Sequence, residues 1–106
     1  MIKEIPVRSD ILAYKFSIDI DGTIYTFEFF WNDRASTWVW NIRSEAGDAI
    51  VLGIPIRLGV LLTNKYKDTR LPLGEFFAID ISGGWNEACV DDFGSRVLLF
   101  YRSGAE

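Results

Sequence analysis

The sequence predicts an all-β fold, a small barrel or sandwich built on an antiparallel meander with little or no helix. Three observations predict it. Short apolar or alternating runs recur along the 106 residues, separated by Gly, Pro, Asn and Asp turn signals. No segment keeps a helical apolar period over about ten positions. Asp21-Gly22 sits between two alternating runs, the strongest short-range hairpin signal, because both residues tolerate the positive φ that a two-residue turn requires.

Taking the elements in order, Ile2, Ile5 and Val7 surround Pro6. Proline removes a ladder donor, so this segment reads as an edge strand or an extended N-terminal arm of about residues 1–9 that docks elsewhere. The stretch from Ala13 to Ile42 organises the rest. With Asp21-Gly22 as the loop, Ile20 lies opposite Thr23, Ile18 opposite Tyr25, Phe16 opposite Phe27 and Tyr14 opposite Phe29, giving one nearly apolar face. The other face pairs Lys15 with Glu28, Ser17 with Thr26 and Asp19 with Ile24. A slip of one residue would mix the two faces. After a polar turn ending at Ser36, Trp38, Trp40 and Ile42 alternate with Val39, Asn41 and Arg43, and pairing them with Trp31, Phe29 and Phe27 continues the apolar face.

A turn over 44–48 then leads to a short strand, Ala49 to Leu52, ended by Gly53 and Pro55, which makes a four-stranded meander. Ile54 to Thr63 is ambiguous between a strand and an irregular apolar segment. A polar loop over 64–70 and a tight turn, Leu71-Pro72-Leu73-Gly74, precede a strand from Glu75 to Ile81. Loop signals at Ser82 to Asn86 and Asp91 to Gly94 come before a closing strand, Arg96 to Tyr101. Val97 to Phe100 is apolar on both faces and would be an aggregation-prone edge if left unpaired, so barrel closure or an oligomer interface is expected to cover it.

One domain is expected from the length. A net charge of −4 with eleven scattered Lys and Arg argues against an electrostatic nucleic-acid partner. There is no span of about 20 apolar residues for a membrane, and the first residues lack the apolar core of a signal peptide, so neither membrane insertion nor ordinary export is expected. The single cysteine, Cys89, allows no intrachain disulfide and reads as an apolar filler.

Histidine is absent, which removes ordinary catalytic triads, imidazole metal sites and the commonest general base. Asp19, Asp21, Asp80, Asp91 and Asp92 read as turn residues bonding nearby amides, because two adjacent carboxylates are too few for a Ca²⁺ loop. Gly83-Gly84 lacks the Lys-Ser/Thr and following helix of a phosphate loop. No enzyme, cofactor or metal is therefore expected. Trp31, Trp38 and Trp40 fall on the core side by register, whereas Trp85, between Gly84 and Asn86, reads as an exposed loop anchor for a protein partner. A carbohydrate- or other ligand-binding barrel would need such indoles exposed.

A further pattern runs through the whole chain. It comprises Trp31-Asn32, Trp38, Trp40 and Ile42, then Gly47, Ile50, Gly53-Ile54, Leu58-Gly59 and Leu61-Leu62. Leu71-Pro72-Leu73-Gly74-Glu75, Asp91-Asp92-Phe93-Gly94 and Val97-Leu98-Leu99-Phe100-Tyr101 complete it. In this order, from about Ile5 to Tyr101, the chain resembles the small baseplate plug family of contractile-tailed phages and cyanophages. The resemblance implies an OB-like β-barrel and a non-enzymatic virion protein at the centre of the tail baseplate, between the tail tube and the hub or spike. It implies several copies per virion, host cytoplasm as the place of assembly, and no catalytic residues. The residues expected to touch neighbouring subunits are Ile2, Ile5, Pro6, Leu71, Pro72 and Trp85.

Overall fold

The computed structural model describes residues 2–63, 66, 70–72, 74–84 and 92–103. Within them are seven strands: β1 (Ile2–Ile5), β2 (Ala13–Ile20), β3 (Thr23–Asn32), β4 (Thr37–Ser44), β5 (Ala49–Pro55), β6 (Glu75–Asp80) and β7 (Val97–Arg102). There is no helix among the described residues. The all-β expectation holds.

The β2–β3 hairpin has the expected register at every pair, from Ile20 opposite Thr23 to Tyr14 opposite Phe29. Asp21 (φ 53°) and Gly22 (φ 88°) both lie in the left-handed region, and Asp19 Oδ1 accepts the Gly22 N–H at 2.8 Å. That backbone matches the right-handed twist of the flanking strands. β4 continues the sheet with Phe27 opposite Ile42, Phe29 opposite Trp40 and Trp31 opposite Trp38.

β5 differs from the expectation that it ends at Gly53. It runs on to Pro55, because two register shifts against β4 accommodate extra residues. Gly53 adopts a φ of 79° at the first of them, and Asn41 Oδ1 accepts its N–H at 2.8 Å. A bulge needs such a residue and such a substitute partner. Pro55 costs nothing there, since β5 is an edge strand of the sheet β2-β3-β4-β5. The remainder of the ambiguous segment leaves this sheet and lies against β6, with a parallel bridge from Leu58 to Ala78 and a bond from Leu62 N–H to the Phe76 carbonyl at 2.9 Å.

The second sheet has the order β1-β7-β6, with Ile5 opposite Leu99 and Phe76 opposite Tyr101. The apolar closing strand is therefore central rather than an edge. The N-terminal segment is a paired strand, and its Ile5 is fully buried. Of the two readings of this segment the structure has the edge strand, at one end of the order β1-β7-β6, and burying Ile5 in the core outweighs the ladder donor lost at Pro6. The named strands form two antiparallel sheets, joined at the β5–β6 side by the Leu58 bridge rather than by a continuous ladder.

Between the sheets lies an aromatic core. Trp40 meets Phe27 and Phe76 edge-to-face, with centroids 4.9 and 4.8 Å apart. Phe29 and Trp38 close on Phe93 at 5.7 and 5.6 Å. Edge-to-face pairs contribute about 0.5–1.5 kcal/mol each beyond their burial. Trp40 Nε1 is buried without a hydrogen-bond partner, among the rings of Phe27, Phe29 and Phe76 that pack on this indole. Tyr101 ties the sheets at one end: its hydroxyl accepts the Gly74 N–H at 3.0 Å and donates to Asp21 at 2.6 Å.

Candidate partner-contact surface

Carboxylates come first, because they are where chemistry would reside. Asp80 is almost wholly buried and pairs with Arg96 at 2.6 Å, while its other oxygen accepts the Ser82 N–H and hydroxyl at 2.9 and 2.6 Å. Arg96 also holds Asp92 at 2.8 Å, and that partnership, with Asp80 behind it, raises the Arg96 pKa further. These groups lock the entry to β7. Asp19 caps the hairpin turn and Asp21 accepts from Tyr101. No group of three or more His, Cys, Asp or Glu is placed to hold a metal among the described residues. Asp91 and Cys89 lie outside the described residues.

The expected contact residues divide three ways. Ile2 is exposed at the start of β1 and Pro6 is exposed just beyond its end. Ile5 is buried, so its side chain belongs to the core and is withdrawn from the contact set. Leu71 and Pro72 are half-buried and line a cleft of about 540 Å³ with Ile20, Ile24, Tyr25 and Ile50. Tyr25 donates to the Arg70 carbonyl at 2.6 Å, which holds that turn on the hairpin. Ile2 pairs with Arg102, the neighbour of Tyr101, so the Ile2 end of β1 and the Leu71-Pro72 turn share the Tyr101 end of the molecule. Trp85 lies outside the described residues.

A second surface was not named residue by residue from the sequence. Paired residues in an antiparallel ladder share a face. Opposite Phe76, Ala78 and Leu99, which point into the core, the outer face of the three-stranded sheet carries Phe77 across from Phe100 and Ile79 across from Leu98. The two phenyl rings stack at 5.8 Å. Val60 and Leu61, 51% and 37% exposed, adjoin them across a shallow groove of about 200 Å³ that Phe77 and Ile79 also line. Ile79 is 43% exposed. A central strand that is apolar on both faces has its second face here. The signal was present in the unbroken apolar run Val97 to Phe100; only its partner strands were missing.

The described tryptophans, Trp31, Trp38 and Trp40, do not form a ligand platform. Trp38 and Trp40 are fully buried, and Trp31 is half-buried against Trp38 at 5.8 Å.

An apolar outer sheet face, an exposed end and carboxylates committed to structure describe a binding body. A protein-family model described as cyanophage baseplate Pam3 plug gp18 matches residues 2–104. The chain belongs to this family of cyanophage baseplate plugs. A search of curated proteins finds no match. Membership makes the protein a structural component of a phage tail baseplate, in contact with other baseplate proteins. Membership in a family of baseplate plugs supports a structural rather than a catalytic role.

Proposed function

We propose that the chain is a central plug that links the tail tube to the hub or spike through protein–protein contacts, in several copies per virion, assembling in the host cytoplasm without nucleic acid, membrane or cofactor. The observation that carries this reading is the outer face of the three-stranded sheet, where Phe77, Ile79, Leu98 and Phe100 present a contiguous apolar surface beside Val60 and Leu61. Contiguous exposed apolar surface on a small soluble domain marks an interaction site. Ile2, Leu71 and Pro72 extend the contact zone at the Tyr101 end, and Trp85 is proposed as a further partner anchor.

Crosslinking mass spectrometry on purified tail particles tests the placement. Crosslinks from this chain to tube and hub or spike proteins are expected. Phe100→Asp should leave the isolated protein folded, because the ring faces outward, and should reduce incorporation into particles about tenfold or more. Normal incorporation of a folded Phe100→Asp protein would remove this face from the interface.

A further inference from the structure

The free edge of β2 is built to receive one more strand. In a two-residue hairpin the residues flanking the turn form a hydrogen-bonded pair, so Ile20, Ile18, Phe16 and Tyr14 direct their main-chain groups to β3. The bond from Trp31 N–H to the Leu12 carbonyl, 2.9 Å, continues that parity. Ala13, Lys15, Ser17 and Asp19 therefore point their N–H and C=O groups outward. Lys3 Nζ reaches the Asp19 carbonyl from the opposite sheet at 2.9 Å, as this direction requires. No Cα of β1 comes within 8 Å of a β2 Cα, and none of the named strands pairs with this edge. The edge carries neither proline nor bulge; of the usual guards against pairing it has charged side chains only, Lys15 and Asp19.

Side chains specify what fits. On the inner face Tyr14 and Phe16 are only half-buried, although their partners Phe29 and Phe27 are fully buried, so the aromatic layer runs off this edge incompletely covered. On the outer face a row of alternating charge crosses the sheet: Arg43 bonds Glu28 at 2.7 Å, and Glu28 stands opposite Lys15. The row stops at the edge on a cation and calls for an anion next.

We propose that this edge pairs with the same edge of a second copy of the chain, antiparallel about a twofold axis through Ser17. Parity permits only shifts that keep odd-numbered residues of the two edges opposite each other. Centred on Ser17, each Lys15 faces Asp19 of the other copy, so the charge row continues, and both are residues whose main-chain groups point outward. Centred on Lys15 instead, like charges would meet. The Ser17 register also sets Phe16 beside Ile18 and Tyr14 beside Ile20 of the second copy, covering the exposed ring edges. The Asp19 carbonyl has two lone pairs, so the bond from Lys3 and an added ladder bond are compatible. The result is one continuous eight-stranded sheet through two molecules, formed independently of the baseplate.

Sedimentation equilibrium of the full chain tests it. The expected species has twice the 12.1 kDa chain mass. Ser17→Pro removes an outward N–H at the axis and no bond to β3, so it should yield a monomer with an unchanged far-UV circular dichroism spectrum. K15E and D19K should each weaken self-association about tenfold by opposing like charges twice. An equimolar mixture of the two should restore it, because opposite charges then meet at both positions. That rescue remains decisive even if Ser17→Pro fails to fold. A wild-type chain of 12.1 kDa at all concentrations, or a mixture no tighter than either variant alone, would overturn the proposal. So would β2 amides protected from exchange only when other tail proteins are added, which would assign the edge to a different partner.

Discussion

Tyr14 illustrates how much a single residue carries in this fold. Its ring stacks on Phe29 at 5.6 Å, while its hydroxyl accepts the Arg8 N–H at 2.7 Å and donates to the Arg8 carbonyl at 2.9 Å. One side chain thus fastens the β1–β2 connection to the core. Burial, the main cause, pushes its pKa up to about 12 from an ordinary 10.0. The folded protein therefore holds this proton more tightly than the unfolded chain does. The stabilisation is complete below pH 10 and is lost between pH 10 and about 12 as the folded-state tyrosine ionises. Tyr14→Phe should lower stability by about 1–2 kcal/mol at neutral pH and flatten the alkaline part of the curve. Urea midpoints measured between pH 8 and 11.5 would reveal it; a variant with the same alkaline slope as wild type would refute the assignment. Glu28 behaves oppositely. Its hydrogen bond from Arg43 holds the carboxyl below its usual range, so its contribution is present at neutral pH and lost as acid protonates it.

Among elements, β1 is where local and distant information part company. The hairpin register, its turn and the continuation into β4 were legible because each depends on residues a few positions apart and on a two-residue period. Ile5 and Leu99 pair across nearly the whole chain, and such pairing leaves no local mark beyond an apolar residue near a proline. The same limit hid the extension of β5, since a bulge is recognisable only once Asn41 is seen supplying the missing acceptor to Gly53. Leu71 and Pro72 were legible as a turn, but the cleft they share with Ile24 and Ile50 was not. A consequence for β1 follows directly. Ile5→Ala should cost about 2–5 kcal/mol, the range for truncating a fully buried aliphatic side chain, and deletion of residues 2–7 should abolish stable folding. Retention of a wild-type melting temperature after the deletion would restore the picture of a detachable arm.

At the scale of the whole molecule, the question is whether two sheets behave as one cooperative body. Their strands share no ladder apart from the Leu58 bridge, but they share a core: Phe27 and Trp40 of the first sheet meet Phe76 of the second at 5.9 and 4.8 Å. Tyr101 adds a polar tie, linking β7 to the Asp21 turn and to Gly74 through bonds of 2.6 and 3.0 Å. A chain of 106 residues with one shared core is expected to unfold in a single transition. Tryptophan fluorescence reports mainly the four-stranded sheet, because Trp31, Trp38 and Trp40 lie there, whereas amide exchange at Leu99 reports the other. Both should give the same unfolding free energy. Tyr101→Phe removes a buried hydroxyl and leaves the Gly74 N–H without its acceptor, so both probes should fall together by about 1–3 kcal/mol. If exchange at Leu99 were lowered while fluorescence kept its wild-type midpoint, the sheets would be separate units. A plug built on this chain would then have to draw its cohesion from its neighbours rather than from this core.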